Sequence, residues 1–304
     1  MQKARLMRGL GINFTMVDFA FIDSGTGGIP YLLHLKKYLP QANCVYVGDT
    51  KNFPYGTKSS EEIIKCVTSL VQNIIEKFNP FVIVVACNTM SVNALDALRK
   101  TFPKTAFVGT VPAIKVAAEK SKKRVFGLLA TDSTVSCDYN FVLKEKYASD
   151  CKMILRGDSK LIDFIERKSF TATQEEIKAA CIPAVDFFKQ NDCDVIILGC
   201  THFLNISSQI QQVCGNDILV VDSKDGVVKH AIEVFQQALR AASEPAEGVA
   251  DKTAAQNTKW AGGGLGSQGE TSPALYITGF TKKEDQKEYD ALSKKFKLNF
   301  CGLL

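Results

Sequence analysis

Motifs that commit a chain to a common ligand class are scarce here. None of the ten cysteines forms a CxxC pair, and they are scattered from Cys44 to Cys301. Several, such as Cys44, Cys181 and Cys214, sit inside apolar runs where a thiol acts as a small hydrophobe, so reduced cytoplasmic cysteines are expected rather than a secreted disulfide framework. No apolar run approaches the roughly 20 residues that span a bilayer. The basic opening MQKARLMRGLGINFTM lacks the continuous apolar stretch and small-residue cleavage site of a signal peptide, so residues 1–16 read as an N-terminal extension and no membrane partner is expected. The net charge of +5 comes mostly from scattered lysines with no arginine-rich stripe, which argues against nucleic acid as a partner. Histidine occurs three times and tryptophan once; the position of each histidine is therefore informative.

What the sequence does have is a regular alternation. β-rich runs at FAFI (19–22), ANCVYV (42–47), FVIVVA (81–86), TAFVG (105–109), RVFGLLA (124–130), CKMIL (151–155), DVIILG (194–199) and DILVVD (217–222) are separated by segments with helical spacing at 59–78, 173–190 and 223–239. Continuous apolar strands between helices mean parallel sheets covered on both faces, an α/β fold. The 304 residues suffice for two domains, each with its own core. FVIVVACNT is echoed by DVIILGCTH, and FAFIDSGTGG by VFGLLATDST, which points to two similar doubly wound lobes. In such sheets ligands bind beyond the carboxyl ends of the strands, and all four polar tips are such ends. A cleft between the lobes would bring them face to face. The Gly/Ala/Ser-rich stretch 243–274, which contains Trp260, reads as a flexible surface insert. ALYITGF (274–280) resumes a strand, and a final amphipathic stretch closes the fold.

The tips hold the candidate chemistry. Asp23-Ser24-Gly25-Thr26-Gly27-Gly28 follows the first strand and opens a helix, combining an acceptor, a donor and a glycine turn suited to a carboxylate or phosphate. It fits neither GxGxxG nor a P-loop, so nucleotide binding has no support. Phe53-Pro54-Tyr55-Gly56-Thr57 is a turn with one aromatic hydroxyl. Asn88-Thr89 and Thr201-His202 each follow a cysteine at a strand tip, Cys87 and Cys200, whereas His34 and His230 sit in amphipathic helices. A lone cysteine ending a strand is most simply a small buried residue. Two at equivalent positions of a repeat, each followed by polar residues, leave three chemistries open: a zinc site with His202, which lacks an evident fourth ligand; a redox disulfide, which lacks the usual motif; and a pair of thiols that remove and deliver an α-proton on opposite faces of one substrate.

FIDSGTGG, YVGDTKNFPYGTKS, VVACNTMS, GTVPAIKVA, LLATDSTVSCDY, DVIILGCTH and VVDS, in this order and spacing, resemble the cofactor-independent glutamate racemases of bacterial cell-wall synthesis, within the aspartate/glutamate racemase family. The likeness covers about residues 17–240 and resumes at YITGF. It implies two α/β lobes enclosing the amino acid, the second inserted in the first: residues 1–110 with 225–304, and residues 111–224. It makes Cys87 and Cys200 the acid/base thiols, assisted by Asp23 and His202, with Glu166 in LIDFIERKSF a further carboxylate on the Cys200 side. It assigns substrate contacts to Asp23, Ser24, Tyr55, Gly56, Asn88, Thr89, Thr201 and His202, joined by Thr131 and Thr134. It implies glutamate as the small-molecule substrate, no cofactor, no metal and a cytoplasmic location, and leaves homodimerisation open. Phe203-Leu204 and Lys51-Asn52 depart from the family pattern at positions that bear on specificity rather than on the thiols. Aspartate racemase is the nearest rival, because only the length of the side-chain pocket would differ. A non-catalytic amino-acid-binding regulator would keep the carboxylate-holding groups and lose a thiol, and both thiols are present.

Overall fold

The computed structural model describes residues 17–243, 272–280 and 285–304. The 1–16 extension, Trp260 and most of the 243–274 insert lie outside the described residues. Two parallel sheets form the frame. Strands β1 (Phe19–Asp23), β2 (Cys44–Gly48), β3 (Val82–Val85), β4 (Ala106–Gly109), β9 (Ala274–Ile277) and β10 (Asn299–Leu303) make the first, in the order β10-β9-β2-β1-β3-β4. Strands β5 (Val125–Ala130), β6 (Lys152–Gly157), β7 (Val195–Leu198) and β8 (Leu219–Val221) make the second, in the order β6-β5-β7-β8. The run β2-β1-β3-β4 repeats as β6-β5-β7-β8, so the sequence echo between residues 85 and 198 corresponds to the strands β3 and β7, which pair with the central strands of their sheets.

The helices α1 (Ile29–Tyr38), α2 (Ser60–Phe78), α3 (Asn88–Thr101), α4 (Ile114–Lys120), α5 (Asp132–Val135), α6 (Asp138–Tyr147), α7 (Ser159–Lys168), α8 (Gln174–Gln190), α9 (Ser207–Cys214), α10 (Lys224–Ser243) and α11 (Asp285–Phe296) cross between strands. Local chemistry sets their ends. Ser59 accepts from Glu62 N while Glu62 accepts from Ser59 N, a capping box that satisfies two of the free amides at the start of α2. Thr173 and Glu176 do the same for α8. At the far end of α2, Asn79 takes a left-handed conformation with φ 40°, a turn that stops the helix.

Period-two alternation splits β1 between two cores. Ala20 and Ile22 face α2 and α3, packing with Ile63, Val67, Met90 and Leu98. Phe19 and Phe21 face the other way, into an apolar cluster that also contains Ile196 and Leu198 of β7, Ile165 of α7 and Phe203. One continuous apolar body thus reaches from the first sheet to the second. Each fully buried phenylalanine in it contributes about 1.5–3 kcal/mol, which holds the strand tips of the two sheets close together. The final amphipathic stretch of the sequence is α11 followed by an edge strand, β10.

Candidate active site

Every candidate tip emerges at a carboxyl end of a strand. β1 ends in Asp23, β3 leads to Cys87 at the N-cap of α3, β5 leads to Thr131 at the N-cap of α5, and β7 leads to Cys200 ahead of the 3-10 turn Thr201–Ile206. Cys87 and Cys200 are both buried, at 5% and 6% exposure. Cys87 Sγ accepts from Met90 N (3.5 Å) and donates to Ser24 Oγ (3.7 Å). Cys200 Sγ lies 3.5 Å from His202 Nδ1.

Three sets of hydrogen bonds tie the first sheet's tips to the second's. Thr201 Oγ1 donates to Asp23 at 3.3 Å from Oδ1 and 3.2 Å from Oδ2. Glu166 Oε2, on α7, accepts from Thr26 N (3.0 Å) and Thr26 Oγ1 (2.7 Å), and pairs with His202 Nε2 at 3.0 Å. Thr89 Oγ1 lies 3.1 Å from Thr131 Oγ1 and 3.3 Å from Thr134 Oγ1. The glycines let the backbones come this close: a Cβ on Gly27 would lie 2.6 Å from both His202 N and Thr201 Oγ1, and one on Gly25 would lie 2.6 Å from Glu166 Oε1.

Burial and neighbouring charge set the protonation states. The Cys87 thiol is pushed well above the usual range by burial, with the Asp23 and Cys200 charges adding to it. The carboxyl of Asp23 is raised by burial and by Glu166, against the opposing pull of His202 and of the Ser24 and Gly28 amides. Burial works against a charged His202, but hydrogen bonds to Cys200 and Glu166 outweigh it and raise the imidazole well above its ordinary value. The imidazole thus sits between the Cys200 thiol and the Glu166 carboxylate.

The thirteen residues singled out by sequence gather around this seam. Asp23, Ser24, Cys87, Cys200, Thr201, His202 and Glu166 form the networks just described, and Thr89, Thr131 and Thr134 form the hydroxyl cluster. Gly56 faces that cluster, since a Cβ there would lie 3.0 Å from Thr131 Cβ. Asn88 is buried with Nδ2 unpartnered among the described residues, as is Glu166 Oε1: a donor and an acceptor are thus left free in the site. The Tyr55 hydroxyl donates to Asp49. Four residues outside these thirteen join the site. Tyr46, inside β2, donates to Gly25 O (2.9 Å) and Asp23 Oδ2 (3.2 Å) and accepts from Gly28 N (3.0 Å), fixing the glycine turn. Thr26 bonds Glu166. Asp49 gathers Tyr55, both of its oxygens take Asn52 Nδ2, and Thr278 Oγ1 donates to it at 2.6 Å. The Phe53 ring packs 5.6 Å from the His202 ring, with the Arg167 guanidinium 6.0 Å above it. Their signal was a tyrosine within a buried strand, whose hydroxyl must find a partner, and, for the others, a place in turns already suspected of function. No group of three or more metal-ligating side chains arranged to hold an ion occurs among the described residues.

Comparison with known proteins gives the same direction. The family model for Asp/Glu/hydantoin racemases matches residues 34–231. A glutamate racemase of Treponema pallidum subsp. pallidum is 38% identical over 217 residues, 71% of this chain and 81% of that protein. One from a Shewanella species (strain MR-7) is 38% identical over 209 residues, 68% of this chain and 75% of its own length. In three dimensions the chain is similar to the crystal structure of Escherichia coli glutamate racemase in complex with L-glutamate and an activator, with a TM-score of 0.75 at 24% identity over 95% of this chain and 98% of that one.

Proposed function

This chain belongs to the Asp/Glu/hydantoin racemase family, and from that premise we propose that it interconverts L- and D-glutamate by two-thiol proton transfer, supplying D-glutamate for peptidoglycan synthesis. The observation that carries the reading is the pair of buried sulfurs at equivalent strand tips, with those tips tied together by the Thr201–Asp23 and Thr26–Glu166–His202 hydrogen bonds. The α-hydrogen of an amino acid is very weakly acidic, so the enzyme must stabilise a carbanion and hold a base within hydrogen-bond reach of it. One sulfur, as thiolate, takes the α-proton. The C–H electron pair passes into the α-carboxylate, and the opposite thiol gives its proton to the other face of the same carbon. The enzyme ends with the protonation states of the two sulfurs exchanged.

Cys87, held protonated by burial and by Asp23, suits the acid in the free protein. Cys200, with the His202–Glu166 pair behind it, is then the base, and the roles reverse for the mirror-image substrate. The free Asn88 Nδ2 donor, with Ser24, Thr89, Thr131, Thr134 and Thr201, supplies hydrogen bonds for the carboxylate on which charge develops. Tyr55 acts through the turn it anchors, which sets Gly56 against Thr131. Both proton transfers run through the thiols, and the reading calls on no cofactor. It takes residues 1–110 with 225–304 as one lobe and 111–224 as the other. It also puts the protein in the cytoplasm; no helix among the described residues is long and apolar enough to cross a membrane.

The test follows circular dichroism of enantiopure L- and D-glutamate with the protein and with Cys87→Ala and Cys200→Ala. Each variant is expected to lose at least about 1,000-fold in kcat/KM, in line with removing a positioned proton-transfer group. Because the enantiomers have equal free energy, the loss must be the same in both directions. Full activity in either variant contradicts the assignment, and turnover of aspartate in place of glutamate moves the substrate.

A further inference from the structure

The last helix of the chain grips the helix that carries Glu166. Glu288 of α11 is buried at 7% exposure. Its Oε1 accepts from Phe170 N at 2.8 Å and its Oε2 from Thr171 Oγ1 at 3.0 Å. These two residues form the turn that ends α7, where Thr171 N and Ala172 N also bond the Lys168 carbonyl at 3.1 and 2.9 Å. Around the carboxylate the contact continues: the Phe170 and Phe296 rings meet edge to face at 5.8 Å, and Lys295 Nζ lies 5.1 and 5.5 Å above them. Leu292 of α11 is wholly buried in the same apolar cluster as Leu161, Ile162 and Ile165 of α7.

A buried carboxylate is a costly way to hold a turn, and this one has a second carboxylate near it. Burial raises the Glu288 carboxyl, and the charge of Glu166 adds to the rise. An amide side chain would secure the turn with less desolvation. What the carboxylate adds is two acceptors on one rigid group, which fix both the backbone and the side chain at the end of α7. Glu166 lies one turn before that end, and its Oε2 must meet His202 Nε2 and Thr26 at once.

We propose that Glu288 is a positioning residue for the Cys200-side proton relay: it fixes the turn at 169–171, and through α7 sets the reach of Glu166 to His202. The proposal rests on the roles given to Cys200, His202 and Glu166 above. Its effect has a direction that a purely structural role lacks. Two transition states separate the enantiomers, one for proton transfer at Cys200 and one at Cys87. Slowing the Cys200 step makes it more rate-limiting in both directions, but only one enantiomer gives its own α-hydrogen to Cys200.

The experiment measures kcat/KM and its α-deuterium isotope effect for both enantiomers in Glu288→Ala, Glu288→Gln and Thr171→Val. Glu288→Ala is expected to lower kcat/KM about tenfold, equally in both directions. Its isotope effect should rise for one enantiomer and fall for the other. Glu288→Gln keeps an acceptor for Phe170 N and a polar partner for Thr171, so it should stay within about twofold of the parent protein. Unchanged kcat/KM in Glu288→Ala, or a loss that leaves both isotope effects as they were, overturns the proposal. If that variant does not fold, Thr171→Val decides, because a milder loss with the same opposed isotope shifts supports the relay and its absence refutes it. Failure of the underlying reading would be recognised separately, as a parent protein that does not racemise glutamate or a fully active Cys200→Ala.

Discussion

Gly27→Ala tests whether the close approach of the two sheets' tips is itself part of the catalyst. A Cβ at this position would lie 2.6 Å from His202 N and from Thr201 Oγ1, and 2.9 Å from the Thr201 carbonyl carbon. Ordinary contact begins near 3.4 Å, so the methyl group is about 0.8 Å too close to a backbone that cannot rotate away. Either the glycine turn or the 201–202 segment must give by that amount. The Thr201–Asp23 bonds, at 3.2 and 3.3 Å, and the Thr26–Glu166 bonds span the same gap and lengthen with it. Separation of the reacting groups by close to 1 Å costs about 100-fold in rate. Lengthening of the cross-sheet bonds, as opposed to their loss, costs about 1–2 kcal/mol of stability, and both cores remain intact. The variant should therefore fold, unfold within a few degrees of the parent protein, and racemise glutamate about 100-fold more slowly. Circular dichroism at fixed enzyme concentration reads the rate, and a thermal melt reads the fold. Activity within twofold of the parent would show that the seam tolerates a methyl group and that the tip-to-tip geometry is not what sets the rate.

Thr201→Val keeps the shape of the side chain but removes its donation to Asp23; kcat/KM should fall about tenfold, and an unchanged value would remove the Thr201–Asp23 bond from the mechanism. Two deeply buried thiols predict alkaline sensitivity. Cys44 is pushed up by burial to about 12 and Cys87 is held well above its ordinary 9.0; above pH 9 the unfolded chain releases these protons while the folded one keeps them. Stability is thus full below pH 9 and falls as pH rises beyond it, by up to about 1.4 kcal/mol per pH unit for each thiol. Urea unfolding at pH 8, 9 and 10 measures this, and a flat midpoint would refute it. In the second lobe, Gly127→Ala would drive a Cβ into the buried Phe188 ring; overpacking by about 1–3 kcal/mol should lower the urea midpoint, and no change there would mean the ring has room to move.

The strands and both thiols were legible because they obey rules with short reach. FVIVVA and DVIILG are continuous β-branched runs that only a doubly covered strand requires. The cysteine that follows each marks the carboxyl end of a parallel strand, where ligands collect. The capping boxes of α2 and α8 were written in Ser59–Glu62 and Thr173–Glu176. β10 was missed for the converse reason: NFCGL is an edge strand whose residues alternate between exposed and half-buried, with a glycine at φ 88°, and no apolar run announces it.

What the sequence could not display is which tip meets which. Thr26 and Glu166 are 140 positions apart, and nothing in SGTGG or LIDFIERKSF indicates that one hydroxyl and one amide of the first will share a carboxylate oxygen with His202. That pairing depends on the common apolar cluster through which Phe19 and Phe21 pack with Ile165, Leu198 and Phe203. The cluster is assembled from side chains that each sheet, alone, would leave partly uncovered. Its packing fixes the distance between the tips, and the distance in turn admits only glycine at 25 and 27. The polar network is thus a consequence of how two hydrophobic faces fit. Its glycines, which read by sequence as a helix-opening turn, serve as the clearance that lets the tips of the two sheets meet at Glu166, Thr201 and His202.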